Sequence, residues 1–335
     1  MKNKIACVYH SIDLDGWCSA GIVKYCWCIN NSQYEESSLE ENFLVDLINP
    51  LNNIKFIGYN YGQPVPDLSS YDSVIMCDIS FPKEFMLELN LRLGKRLIWI
   101  DHHQRTVNEV NSYIIEHGIP MEGLVTVDGE LKAACELTWE YFFKEIEIPE
   151  FVRRLGRYDC FGHKGTLEEN LILEFQYGAR EVIVNYEQCY NIILNCFAFN
   201  IEYLGQIGNI LRNGKAIYSF LCTDAKQSYK NGFEIELKET EFYPNGDSKG
   251  VINIRKFICI NKERFNPINF GIDYHKEGYD GCACFHYAKG KYNFSLYNDN
   301  GKVDCSSIAK QFGGGGHKGA SGFILNQYQF LELIK

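Results

Sequence analysis

Three short apolar runs in the first third of the chain each end on a histidine or an aspartate, and this restricts the fold more than any other feature. They are IACVY before His10, SVIMC before Asp78 and LIWI before Asp101, His102 and His103. Apolar runs this short and unbroken predict strands buried on both faces. A helix is expected from about Gly16 to Cys28. Pro82, tolerated in a first turn, opens another that runs to about Leu93, where Gly94 ends it. A helical stretch and a strand around 54–60 fall between these, and further helices are expected at 131–145 and 149–158, the latter leading to Asp159. Strands alternating with helices predict a parallel, doubly covered sheet, which binds ligands beyond the carboxyl ends of its strands. The acids and histidines after the three runs therefore converge on one edge.

Composition limits what that edge can serve. The chain has 335 residues, 46% hydrophobic and 23% charged, which suits about two globular domains and excludes disorder, collagen and coiled coil. Its net charge of −10 argues against gripping long duplex nucleic acid by bulk electrostatics, while a short or small anionic substrate stays open. The N-terminus is too short in apolar residues for a signal-peptide core, and no run approaches a membrane span, so a soluble cytoplasmic protein is expected. Fourteen dispersed cysteines without a C-x-x-C predict reduced thiols; Cys26/Cys28 and Cys282/Cys284 stand two apart and form no zinc knuckle.

Residues 186–220 are helical in pattern, and beyond 222 the texture changes to short alternating segments broken by Asn-Gly, Asp-Gly and Lys-Gly. The expected organisation is an α/β domain over 1–190, a helical linker over 191–221 and a smaller mixed α/β domain over 222–335. Charge divides with it: 18 basic and 30 acidic residues precede residue 222, and 15 basic and 13 acidic follow, net −12 and +2. A final helix near 304–312 precedes a glycine-rich stretch.

Five segments carry chemistry. In His10-Ser-Ile-Asp13-Leu-Asp15-Gly16, two carboxylates and an imidazole on a turn relaxed by Gly16 can ligate neighbouring cations, or one aspartate can simply cap the next helix. Asp78 alone is compatible with a turn or cap. Asp101-His102-His103 is harder to reduce to structure, because three ionisable residues directly after a buried strand cost stability unless something occupies them. Asp159 alone fits a solvated helix end. Gly313-Gly314-Gly315-Gly316-His317-Lys318 lies between ordered segments, where glycines let backbone approach a ligand and present N–H groups to an anion, with His317 and Lys318 as added donors.

Taken in order, HSIDLDG, CDIS, DHH and RYDC, followed by SLYNDNGKVDCSSIAKQFGGGGHKGASGF, resemble the motifs of the DHH phosphoesterase superfamily, in the subgroup with a C-terminal DHHA1 domain that includes oligoribonucleases and nucleotide phosphatases. The resemblance spans nearly the whole chain. It implies two divalent cations, Mn2+ foremost, with His10, Asp13 and Asp78 on one and Asp15, Asp78, His102 and Asp159 on the other. Asp101 would orient the histidines, and His103 would face the substrate phosphate. Asp78, Asp101, His102 and His103 would form the catalytic group, while Gly313 to Gly316, His317 and Lys318 would hold the substrate. Mixed imidazole and carboxylate ligation independently favours a transition ion over Mg2+. Two departures stand out: His10 lies three residues before Asp13, one closer than in several relatives, and Tyr297 stands where many members that trim oligonucleotides have arginine.

The implied reaction is hydrolysis of phosphoester bonds in short oligonucleotides or small nucleotides by a hydroxide activated between the cations. Cyclic dinucleotide phosphodiesterase and pyrophosphatase or polyphosphatase activities are the alternatives, followed by a non-enzymatic nucleotide-binding protein. The sequence leaves a homodimer open.

Overall fold

The computed structural model describes residues 3–32, 53–126, 132–197, 201–242, 248–263, 265–316 and 318–334. The chain forms two compact units, residues 1–217 and 218–335. The first is organised on five strands, β1 (Lys4–His10), β2 (Asn53–Tyr59), β3 (Ser73–Cys77), β4 (Leu97–Ile100) and β5 (Leu124–Val125). All pair in parallel, in the order β2-β1-β3-β4-β5. The chain leaves β1 toward one side to form β2 and then returns to the other side for β3. Such a reversal opens a crevice at the carboxyl ends of the two strands flanking it, here β1 and β3, which deliver His10 and Asp78.

Alternation along the buried strands loads both faces. Helix α1 (Leu14–Ser32) follows β1, α2 (Lys83–Leu93) follows β3, and α3 (Gln104–Glu116) follows β4. Ala6, Val8, Val74, Met76, Leu97 and Trp99 pack with Met86, Leu89 and Leu93 of α2 and Val107, Val110 and Ile114 of α3. On the other face Ile5, Cys7, Ile75, Cys77, Ile98 and Ile100 meet α1 together with α4 (Ala134–Phe142), α5 (Glu150–Asp159), α6 (Glu169–Val182) and α7 (Tyr186–Phe197). Trp99 is fully buried and its indole N–H donates to the Ile79 carbonyl at 3.1 Å, so its one polar group is satisfied. Truncating such a side chain costs about 3–5 kcal/mol.

The expected helix at 131–145 is shorter, Ala134–Phe142, and Asp159 is the last residue of α5 rather than lying beyond it. The helical stretch expected between α1 and β2 lies outside the described residues. Helices α3 and α6 were not anticipated. Region 186–220 resolves into α7 and α8 (Ile201–Lys230), and α8 continues past the expected end of the linker. Gly178 of α6 and Gly214 of α8 meet backbone to backbone: a Cβ at Gly178 would lie 1.9 Å from the Ile210 carbonyl oxygen.

The second unit carries a six-stranded sheet of β6 (Phe233–Phe242), β7 (Ser248–Asn261), β8 (Gly281–Ala288), β9 (Lys291–Tyr297), β10 (Gly315–Gly316) and β11 (Ala320–Leu325). The order is β10-β11-β9-β8-β7-β6, with β7 and β8 parallel and the other pairs antiparallel. Phe257, Phe285, Phe294, Leu296 and Phe323 form its core with α9 (Cys305–Lys310) and α10 (Gln327–Leu333). The fold is thus α/β, a doubly covered parallel sheet followed by a mixed one, as the sequence predicts. All fourteen cysteines are free thiols. Among the described residues no helix is long and apolar enough to cross a membrane.

Candidate metal centre

The loop after β1 reverses into α1 within a few residues. Asp13 accepts from the Gly16 N–H through Oδ1 (3.0 Å), which caps the helix, and turns Oδ2 to His10 Nδ1 at 2.8 Å. Both readings of this loop hold together: the carboxylate that starts the helix also faces the histidine. Gly16 does not relax a turn, however. It lies in the first turn of α1, where a Cβ would fall 2.0 Å from the His10 carbonyl oxygen, so only glycine lets the helix lie this close to the end of β1.

Asp15 points inward from the same turn and is buried. Its two oxygens accept from the backbone N–H groups of Ala134 (3.0 Å) and Cys135 (2.8 Å), the first turn of α4. Ala133 has no side chain to cap that helix, and Asp15 does so from more than a hundred residues away. Asp78 follows β3 with φ 60, a left-handed conformation that aspartate tolerates better than most residues.

Asp78 joins two clusters. Its Oδ2 lies 3.4 Å from His10 Nδ1, and its Oδ1 lies 3.4 Å from His102 Nε2. His102 Nε2 is also 3.2 Å from Asp159 Oδ2 and 3.5 Å from Asp15 Oδ2. The sets His10, Asp13, Asp78 and Asp15, His102, Asp159 each gather their donor atoms tightly enough to hold an ion, as do Asp78, His102 and His103. Asp101 is completely buried; its Oδ1 accepts from both the backbone N–H (3.0 Å) and ring Nδ1 (2.8 Å) of His103. It orients that histidine in particular, leaving Nε2 for a ligand.

His10 Nδ1, His102 Nε2 and Asp78 Oδ1 are buried and form no hydrogen bond of acceptable geometry, although carboxylate oxygens or ring nitrogens lie within 3.6 Å of each. Two ligands set at right angles on an ion about 2.1 Å away sit about 3 Å apart without bonding to each other. The donor spacing here has that character, and the residues fit a pair of divalent cations.

The electrostatics of the site point the same way. Burial disfavours a charged imidazole, yet the facing carboxylates dominate: His10, beside Asp13 and Asp78, is pushed up to about 10, and His102, beside Asp159 and Asp78, to about 12. Burial raises Asp15 and Asp78 above the ordinary carboxylate range, and repulsion from neighbouring carboxylates adds to it. Asp101 and Asp13 are held low despite burial, by His103 and His10.

Tyr61 was missed from sequence. It follows β2 in a turn at the same sheet edge, with its ring centroid 6.1 Å from that of His10. The signal available was the edge rule itself, which applies to residues after β2 as much as to those after β1.

In the second unit the glycine run follows α9. The N–H groups of Gly313 and Gly314 donate to the Lys310 (3.0 Å) and Ala309 (2.9 Å) carbonyls, so they finish the helix instead of facing an anion. A Cβ on Gly314 would strike the Gly322 carbonyl oxygen at 2.1 Å, whereas one on Gly315 would meet open space. Lys318 is exposed and its carbonyl accepts from Cys305 N. His317 lies outside the described residues.

No protein-family model matches the chain. Among solved structures, the pGpG-specific phosphodiesterase PggH from Vibrio cholerae aligns over 99% of this chain and 96% of its own, with TM-score 0.50 and 14% identity. The fold is shared with that protein. An exopolyphosphatase-related protein from Bacteroides fragilis aligns over 99% and 90% at TM-score 0.40 and 13% identity, too loosely to carry an argument. Among curated proteins, an uncharacterized protein of Acanthamoeba polyphaga mimivirus is 24% identical over 333 residues, 95% of this chain and 67% of that one.

Proposed function

We propose that the chain is a divalent-metal-dependent phosphoesterase of the DHH type, hydrolysing short oligonucleotides or small nucleotides. The observation that carries this is Asp78, buried between two histidines with one oxygen toward each, at the carboxyl end of a central strand. A fold shared with a protein described as acting on pGpG, a linear dinucleotide, supports the same substrate class.

His10, Asp13 and Asp78 would hold one cation, and Asp15, Asp78, His102 and Asp159 the other. Bound there, such ions supply Lewis acidity toward phosphoryl oxygens and a water of lowered pKa. Imidazole among the donors favours Mn2+ or a similar ion. The protein's own share is positional. The first turn of α4 fixes both Asp15 oxygens, and Asp101 fixes the His103 ring. His103 is partly exposed and offers Nε2 to a substrate oxygen, as donor to the charge that develops on the phosphoryl group or leaving oxygen. The expected metal-binding domain, 1–190, falls within the first unit, and the expected substrate-binding domain, 222–335, within the second, whose candidate residues for the nucleotide are Gly315, Gly316, His317 and Lys318.

The deciding experiment incubates the protein with Mn2+ and, separately, a linear dinucleotide, a pentanucleotide, 3'-phosphoadenosine 5'-phosphate, a cyclic dinucleotide and pyrophosphate. Preferred turnover of one of the first three is expected. Turnover of the cyclic dinucleotide or pyrophosphate alone would replace the substrate assignment, and turnover of none would overturn the enzyme reading.

A further inference from the structure

Among the described residues three that are not glycine have positive φ: Asp78, Phe161 and Lys289. Two are accounted for. Lys289 precedes Gly290 in the tight turn between β8 and β9, where paired positive φ values match strand twist, and Asp78 is the residue shared by both halves of the candidate metal centre. Phe161, at φ 59, directly follows the C-cap of α5, where a helix commonly ends in the left-handed conformation on glycine; the conformation has a place there, but the choice of phenylalanine for it does not. A bulky aromatic residue there is a genuine outlier, and such strain collects where function requires it.

Nor does the ring repay its conformation by packing. Phe161 is 53% exposed and belongs to none of the apolar cores. Its turn is held through the backbone, Phe161 N to the Tyr158 carbonyl and Lys164 N to the Phe161 carbonyl, both 3.2 Å. Glycine would make these bonds without strain. The Lys164 ammonium lies 4.4 Å from the ring centroid, which steadies the ring and adds a positive charge beside it. The position is equally specific: two residues before it stands Asp159, with Oδ2 3.2 Å from His102 Nε2. Two residues of chain keep the Cα atoms of Asp159 and Phe161 within about 7 Å of each other, so a nucleotide with its phosphate at the centre can reach the turn that carries the ring.

From this geometry we infer that Phe161 is the nucleobase platform of the site, stacking a base of the bound nucleotide while Lys164 meets its phosphate or sugar side. This rests on the proposed phosphoesterase reading and sharpens it: the substrate carries a base, so pyrophosphate and polyphosphate are poor ligands. An exposed aromatic face takes any base, with larger purines favoured.

The test uses Phe161→Leu and Phe161→Trp, both compatible with an exposed position, with unchanged thermal melts as the folding control. Wild-type protein should quench the fluorescence of 2-aminopurine riboside 5'-monophosphate on binding; Phe161→Leu should lose the quenching and Phe161→Trp keep it. With Mn2+ and a linear dinucleotide, wild type should show a KM about tenfold lower than for an abasic analogue, and Phe161→Leu should erase that preference. Wild type that binds the probe without quenching, or a base preference surviving in Phe161→Leu, overturns the platform while leaving the phosphoesterase reading intact. Phe161-dependent quenching without hydrolysis of any ester has the opposite meaning, and neither quenching nor hydrolysis removes both.

Discussion

Asp15 caps Cys135: the carboxylate of a residue in the first turn of α1 accepts the backbone N–H of a residue in the first turn of α4 at 2.8 Å, with both residues buried. One side chain thereby ties a candidate ligand to the packing of a distant helix.

That tie makes the two obvious substitutions behave differently. Asp15→Asn keeps a carbonyl oxygen for one N–H and removes a carboxylate that burial and its neighbours disfavour, so the metal-free protein should lose little stability. Asp15→Ala leaves two buried N–H groups unbonded and should fall below Asp15→Asn by about 1–3 kcal/mol. Urea unfolding of both variants in chelator measures the gap; equal midpoints would mean the cap contributes nothing.

Asp78 should be the position at which metal content and fold separate. Asparagine tolerates φ 60, so Asp78→Asn should keep the melting temperature of the metal-free protein while losing Mn2+ by elemental analysis and turnover with it. Asp78→Ala adds strain of about 1 kcal/mol. Full metal loading in Asp78→Asn would refute the shared-ligand assignment.

Gly16→Ala carries a methyl into the His10 carbonyl, and neither strand nor helix can yield without moving His10. A stability loss of about 1–3 kcal/mol is expected, together with weaker Mn2+ binding by titration calorimetry. Binding of wild-type strength would show that the position of His10 is not critical.

Arg153 binds Glu150 and Glu168 at once, joining the start of α5 to the segment before α6. The Arg153 hydrogen bond is the largest influence on both carboxyls, which are held below their ordinary value. A lowered carboxyl pKa stabilises the fold above the unfolded value and loses that effect as pH falls through the folded one. The difference in unfolding midpoint between wild type and Arg153→Met should therefore be steady above about pH 5 and close below about pH 4. Both carboxylates are open to solvent, so high salt should shrink it. A difference that grows in acid contradicts the assignment.

How far such detail could be foreseen depends on where each signal resides. The strands under His10, Asp78 and Asp101 were legible because burial on both faces demands unbroken apolar runs, and their carboxyl ends then share one edge. Helix α3 was not, since its Thr106, Val107, Val110, Ile114 and Ile115 favour strands intrinsically and only packing of Val107, Val110 and Ile114 on the sheet holds them helical. In α6, Gly178 lowers helix propensity for the sake of a crossing with Gly214, which no local window contains. Residues joined by tertiary contact alone, such as Asp15 with Ala134 and Cys135, leave no trace in spacing. Tyr61 could have been found by applying the edge rule to every strand.

The burial of the central strands has a kinetic consequence. Ala6 to Val8, Val74 to Cys77 and Leu97 to Ile100 are essentially inaccessible to solvent, and amides in such strands exchange with deuterium only when the whole domain opens. His10, Asp78 and Asp101 leave directly from them. The scaffold beneath the centre should therefore open only with global unfolding, while the surface turns around Tyr61 and Phe161, where the proposed nucleobase platform lies, should exchange by local opening in the folded protein.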